Sequence, residues 1–531
     1  MMRVLVFLAM VLGFSSTAHA EWLEASSDHF VIYAEDSKKD ITRFSEELER
    51  YHAAMEYVTG RETPKPSPSN RVTIYIVSST RAVQNLAGDK QRRIAGFYQP
   101  RAGGSVAFVP RVKSGGSKTD FSMIVLLHEY AHHYIMSSTS FGLPRWFTEG
   151  AAEFYASATF EKDGGLILGR PAMHRAYEIK NGRAVHVREL FDYEKYADNR
   201  RKQSDTFYGK SWLLYHYMVF NPERAPQMRT YLTALVRGAD ETEAAQQAFG
   251  DFNQLEKELD RYARQRKMSA IPLTGEQLQI GETSVRELTE GEAAMMPLIL
   301  QSKRGVNQEQ AEELVPDVRQ VALRYPNNAF VQAALAEAEY DSGNDDRAIK
   351  AADAALAIDP SRTNAYVQKG YALFRKAADA DSDTQAAAYS DARKPFLALN
   401  KIEPDHPLPL SYYYRSFVEQ GIAAPDIAKA GLARAVKMAP FDLELRMNLA
   451  SQQMADNDYA SARLTLAPVA VHPHADGASA AARAMLARME PKSDDSSDEV
   501  EAGEVTAEAQ DGDTASGDDE AEGDAVSSSA S

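Results

Sequence analysis

His128-Glu129-Tyr130-Ala131-His132 sets two imidazoles four residues apart, with a carboxylate directly after the first. Residues four apart on an α-helix share a face, so both rings can offer a nitrogen to one metal ion. Glu129 then stands beside the first ligand, where it can take a proton from water polarised by that ion. The preceding residues, Met123 to Leu127, are apolar and suit a buried helix around a dry site. By chance alone such a pentapeptide arises in about one chain in fifty of this length, so the surroundings decide its weight. A hydrolytic zinc takes three protein ligands and one water. Downstream runs Leu143-Pro144-Arg145-Trp146-Phe147-Thr148-Glu149-Gly150-Ala151-Ala152-Glu153-Phe154. Proline suits a first helical turn, and Glu149 and Glu153 again share a face. One of them can ligate; the other can accept the N–H of a ligating histidine and fix its tautomer. On a plain exposed helix the pair would be like charges at i,i+4, mildly destabilising and without purpose.

These groups need elements to carry them. Residues 29–34 (HFVIYA) and 71–77 (RVTIYIV) are rich in β-branched and aromatic residues and are predicted as strands. An amphipathic helix is predicted between them, over 39–58, and a further strand at 104–109. Helices follow at about 120–137, 144–158 and 206–220. The pattern predicts an α+β domain over 21–267, with 268–290, weakly periodic, as a linker. Prolines 326, 360, 404, 440 and 473 then recur at spacings of 34, 44, 36 and 33. A period near 34 is that of the tetratricopeptide repeat (TPR). In the clearest unit Gly343 marks the turn, and Ala348, Ala352 and Ala355 allow close helix approach before Pro360. Leu432 replaces the middle alanine in the unit closed by Pro440, and the long spacing implies an insertion near 377–385. An all-α, TPR-like solenoid is predicted over 291–490.

The HExxH segment with its downstream glutamates resembles the gluzincin metallopeptidases, the group of thermolysin and aminopeptidase N. Trp146 to Phe154 (WFTEGAAEF) is similar to the bacterial peptidase-MA-like proteins, a domain family of unknown function whose members often carry helical repeats. This resemblance spans roughly 21–267. It implies a zinc ion held by His128, His132 and Glu149, with Glu153 orienting a ligand and Glu129 as the base. Gluzincins also take a Tyr or His from a later segment to steady the oxyanion; Tyr208, at the head of the 206–220 helix, is the candidate. A simply packed tyrosine is an equal reading, since the chain holds 25 of them. The metzincin pattern is absent, because Ile135 and Ser138 stand where it needs Gly and His. Sixteen residues separate His132 from Glu149, so the connecting loop should be tight. The Gly-x-Met-Glu-Asn motif that binds a free amine in aminopeptidases is missing as well. The strand Gly104 to Phe108 carries no acid, which favours an endopeptidase. At a sheet edge that strand could pair with an extended peptide. His133, His174, His186 and His216 have no paired partner and are assigned structural or surface roles.

Composition bounds the rest. No cysteine occurs, which excludes disulfides, thiolate zinc sites and a cysteine nucleophile. The net charge of −17 is concentrated at one end: residues 493–531 hold 14 of the 76 acids and none of the 59 bases. This stretch of Asp, Glu, Ser, Ala and Gly is predicted to be a disordered acidic tail over 491–531. With the remainder near balance, nucleic acid is not an expected partner. Residues 1–20 join Arg3, an apolar run from Val4 to Phe14 and the ending Ala18-His19-Ala20, the pattern of a signal peptide. A periplasmic or secreted protein is expected, without a stable membrane anchor. The sequence therefore predicts an exported zinc metallopeptidase that cleaves a peptide or protein substrate and engages a protein partner through its repeats. The alternative is a catalytically weak peptide-binding or assembly protein that uses the TPR stack as a scaffold.

Overall fold

A computed structural model of the protein describes residues 21–88, 94–111, 120–192, 205–472 and 476–489, with Lys195 and His474 in addition. The expected signal peptide and acidic tail lie outside the described residues. Nine strands occur in chain order among these residues: β1 Trp22–Ser26, β2 Phe30–Glu35, β3 Val72–Val77, β4 Phe97–Gln99, β5 Val106–Pro110, β6 Thr159–Phe160, β7 Leu166–Leu168, β8 Ile271–Leu273 and β9 Ser284–Glu287. Six form one mixed sheet in the order β4-β5-β3-β2-β1-β9, and β6-β7-β8 form a small second sheet. Strands β2, β3 and β5 run parallel to one another, whereas β4, β1 and β9 are antiparallel to their neighbours. β5 is thus internal, between β4 and β3, and cannot add a peptide strand as an edge would; β4 is the terminal strand on that side.

β3 explains why the sheet is central. Its sequence, Val-Thr-Ile-Tyr-Ile-Val, is almost continuously apolar, the pattern of a strand covered on both faces. Alternate residues face opposite ways. Val72, Ile74 and Ile76 join a core with Phe44, Leu48 and Tyr51 of helix α1 (Lys38–Thr59). Tyr75 and Val77, with Val106 and Phe108 of β5, pack under Met296 and Leu300 from the first helix of the C-terminal region.

The helices of the first domain continue with α2 Thr80–Leu86, α3 Phe121–Ser138, α4 Arg145–Ala156, α5 Ala176–Asn181, α6 Val187–Leu190, α7 Phe207–Phe220, α8 Ala225–Val236, α9 Glu241–Phe249 and α10 Phe252–Ala263. Asp120 caps α3 by accepting from the Ser122 amide, a hydrogen bond that satisfies one of the free amides of the first turn. Two contacts from α1 hold α3 in place: Tyr51 Oη donates to the Leu127 carbonyl at 2.9 Å, and Tyr130 Oη lies 2.8 Å from His52 Nδ1. The loop from α3 to α4 spans only 139–144, as the short spacing required.

Segment 268–290, read as a linker, contributes β8 and β9 instead. β9 pairs with β1, and the Leu288 amide donates to the Trp22 carbonyl at 2.9 Å. Its side chains are largely exposed, so backbone pairing rather than an apolar pattern holds it, and the sequence carried little sign of it.

Beyond it the chain is an array of helical hairpins: α11 Glu290–Lys303, α12 Gln308–Arg324, α13 Ala329–Asp341, α14 Asp345–Ile358, α15 Thr363–Ala378, α16 Gln385–Ile402, α17 Pro407–Val418, α18 Asp426–Met438, α19 Leu443–Ala455, α20 Tyr459–Ala470 and α21 Asp476–Arg488. Ala351, Ala352 and Ala355 of α14 pack against Ala333 and Ala336 of α13 and Ala365 of α15. Gly343 turns the chain between α13 and α14 with φ +80°, a conformation that costs glycine little.

The array curls back over the first domain. Ser69 Oγ donates to Glu403 at 2.8 Å, Asn70 Nδ2 donates to the Met438 carbonyl at 2.8 Å, and Asp442 accepts from the Ala102 amide at 2.7 Å. Ala102 and Met136 also join an apolar cluster of α17, α18 and α19. No helix among the described residues is long and apolar enough to cross a membrane.

Candidate metal centre

His128 and His132 lie on one face of α3, both buried, with their Nε2 atoms 3.1 Å apart. Glu149, fully buried on α4, places Oε2 3.4 Å from each of these nitrogens. Beyond the histidines of the cluster, neither carboxylate oxygen of Glu149 has a hydrogen-bond partner. A buried, unbonded carboxylate costs several kcal/mol unless a cation answers it. Burial works to protonate Glu149, but the fields of His474, His128 and His132 outweigh it and hold the group well below the usual carboxylate range. Burial likewise disfavours charge on His128, and there the Glu149 and Glu153 carboxylates win, holding the ring up to about 10. Without a metal, protonated His128 and Arg175 answer the two carboxylates; a bound cation would take the place of the His128 proton.

The separations suit zinc. Ligands at ~2.0–2.1 Å around a tetrahedral ion lie roughly 3.4 Å from one another. The two His–Glu149 separations of 3.4 Å and the His–His separation of 3.1 Å fall close to that figure. Two neutral imidazoles and a carboxylate are also a donor set zinc takes.

Glu153, one turn further along α4, is engaged differently. Its Oε1 lies 3.3 Å from His128 Nδ1 and accepts from Arg175 Nε at 2.9 Å; its Oε2 lies 2.5 Å from His174 Nε2. Burial is again opposed, first by Arg175 and then by His128 and His174, and the carboxyl is held well below its ordinary range. Glu153 is thus occupied by His174 and Arg175 as well as His128, whereas Glu149 faces only the histidines of the cluster. Through the 3.3 Å contact Glu153 holds a proton on Nδ1 of His128, so an ion that displaced the other proton would meet the Nε2 lone pair.

Gly150 lets the next layer close in. A Cβ there would lie 2.4 Å from the Ser211 carbonyl oxygen, so only glycine lets α4 and α7 approach this closely. α7 begins at Phe207, and Tyr208 follows. Burial and then the Glu149 charge raise its phenol far above the ordinary value, so at neutral pH it stays a hydrogen-bond donor. Arg145 hydrogen-bonds its hydroxyl, and the Arg175 guanidinium lies 4.7 Å from the ring centroid. Glu129 is half-exposed on α3, within electrostatic reach of Tyr98 on β4 and of His474.

Two further residues here had no sequence signal: Arg175, and His174, which binds Glu153 rather than filling the structural or surface role expected of it. The other three histidines so assigned do pack or cap. Tyr98 Oη lies 2.6 Å from His133 Nδ1, His216 meets the Gly169 carbonyl at 2.9 Å, and His186 caps α6. A fourth residue beside the pair and Glu149 is His474, from the turn between α20 and α21. The histidines of His472-Pro473-His474 were its available sign.

No family model matches the chain, and no curated protein matches it. Solved structures do. A thermophilic TPR protein from Thermus thermophilus is similar at 14% identity and a TM-score of 0.32, over 37% of this chain and 99% of that one. MamA from Desulfovibrio magneticus RS-1 is similar at 15% identity and a TM-score of 0.26, over 33% of this chain and 92% of that one. Neither fold nor activity is carried over from these likenesses.

Proposed function

We propose that the chain is a zinc-dependent hydrolase of peptide bonds, exported from the cytoplasm, whose helical array engages a protein partner or the substrate itself. The observation that carries this reading is Glu149: a fully buried carboxylate facing two imidazole nitrogens at 3.4 Å, with no partner outside the histidines of the cluster. His128, His132 and Glu149 would hold the ion. When bound, zinc polarises a carbonyl and makes water more acidic.

The chain's own residues supply the rest. Glu153 fixes the His128 ring. Glu129, half-exposed beside His128, accepts the proton from the attacking water and passes it to the leaving amine. Tyr208, kept protonated, donates to the oxyanion that develops on the scissile carbonyl. The missing amine-binding motif favours internal cleavage. Zinc quantitation on the purified full chain, joined to an unbiased peptide-library digest, tests the reading. One zinc per chain is expected, with a defined set of internal cuts by whichever form, wild type or His474→Ala, keeps an open position on the ion; a folded chain that takes no zinc overturns it.

A second reading has its own observation. His474 stands beside the same three residues, as it would in a closed, structural metal site within a peptide-binding scaffold. Stoichiometric zinc with no cleavage of any library member by wild type or by His474→Ala would favour that reading.

A further inference from the structure

The array brings a histidine into the centre of the first domain. His474 Nε2 lies 3.6 Å from Glu149 Oε1. Its ring centroid is 5.2 Å from that of His132, the planes nearly perpendicular at 79°. His128 and His132 meet at 80°. One ligand atom each from His128, His132, Glu149 and His474 lies within 4.8 Å of every other. Four ligand atoms converging on one point are what a four-coordinate ion requires.

Backbone packing moors this turn. The loop between α3 and α4 contains Gly142, where a Cβ would lie 2.7 Å from the carbonyl oxygen of Ala467 in the last turn of α20. Ser479 Oγ donates to the Val469 carbonyl at 2.8 Å, tying α21 to the end of α20. The His474 amide donates to His472 Nδ1 at 3.1 Å. The loop joining the two ligand-bearing helices and the turn bearing His474 are therefore in register through main-chain contact.

We propose that His474 is a fourth protein ligand, delivered in cis by the last hairpin of the array, which latches the centre by filling the position that a hydrolytic zinc keeps for water. This rests on the zinc centre proposed above. Three protein ligands leave zinc an open position, and four close it. Opening then requires α20 and α21 to shift from the α3–α4 loop, so whatever binds the array and moves that hairpin governs the centre.

The test uses the full chain as wild type, His474→Ala, His474→Asn and, as a reference, His132→Ala. Zinc affinity is read by chelator competition. Cobalt(II) loading gives a visible spectrum that reports the ligands, and azide probes for an open position. Wild type should show a cobalt spectrum indifferent to azide. Both His474 variants should change that spectrum, respond to azide and bind zinc at least about tenfold more weakly, beyond the lower limit for losing a mere orienting partner. Added imidazole should restore the wild-type spectrum of His474→Ala. Unchanged zinc affinity and cobalt spectrum in both variants overturn the latch. So does lost peptidase turnover at unchanged zinc affinity, which would place His474 on the substrate. If folded wild type and His132→Ala alike bind no zinc, the metal centre itself fails; if His132→Ala loses zinc and the His474 variants keep it, only the latch fails.

Discussion

Glu149 and Glu153 are chemically identical, and their spacing could not rank them; their neighbours do. Glu153 is occupied by His128, His174 and Arg175, whereas Glu149 faces only the histidines of the cluster. Glu149→Ala is therefore expected to abolish zinc binding at physiological metal levels. Glu153→Ala should weaken it about 10–100-fold, with activity partly recovered in added zinc. Metal content and rescue curves compare the two, and a zinc-free Glu153→Ala beside a rescued Glu149→Ala would reverse their roles. Glu129→Gln should keep the fold and the zinc while turnover falls by about 10²–10⁴, since an amide cannot accept the proton. Near-normal turnover in homogeneous, zinc-loaded protein would remove Glu129 from the chemistry. The spacing of residues 128–132 and 149–153 made these positions legible in the sequence. His174, Arg175 and His474 were not, because nothing in local sequence says which distant side chains meet a buried carboxylate.

Among the elements, the helices that carry the candidate ligands were readable within a residue or two, since 3.6-residue periodicity and caps such as Asp120 are local signals. The short strands β1, β6, β8 and β9 were not, because each is defined by a partner far along the chain. Close approach of elements is equally non-local, and Gly150 shows it. Gly150→Ala should force α4 from α7, costing about 1–3 kcal/mol in urea unfolding and lowering zinc affinity with it; a variant of wild-type stability would mean that the contact yields easily. In α1, Glu47 is 5% exposed with an unbonded Oε2, and burial raises its carboxyl to about 7 against the opposing fields of Arg43 and Arg50. The folded state then binds more protons than the unfolded one, so this group's contribution is present below about 4.5 and is lost as pH rises through about 7. Glu47→Gln should match wild type near pH 4 and exceed it by about 3 kcal/mol near pH 8. Equal pH profiles of unfolding for the two proteins would show that Glu47 titrates normally.

For the molecule as a whole, the division into an α+β domain and a helical array could be read from where one periodicity gives way to another. That the array folds back onto the first domain could not, since its contacts pair residues such as Ser69 with Glu403 and Asn70 with Met438. The acidic stretch follows the last hairpin in the sequence. Ending the chain at Lys492 should leave the melting temperature, zinc content and turnover unchanged, on the ground of its composition; a loss above about 1 kcal/mol would show that it packs. Open solenoids tolerate the gain or loss of a repeat, because each unit touches only its neighbours. Here α11 sits on the central sheet while the α20–α21 turn reaches Glu149, so the array is pinned at both ends. Packed helices lie about 8–10 Å apart, and deleting one hairpin would withdraw His474 by more than its own reach. The number of repeats is thus a measured length, and this array is a ruler whose last mark falls on the candidate metal centre.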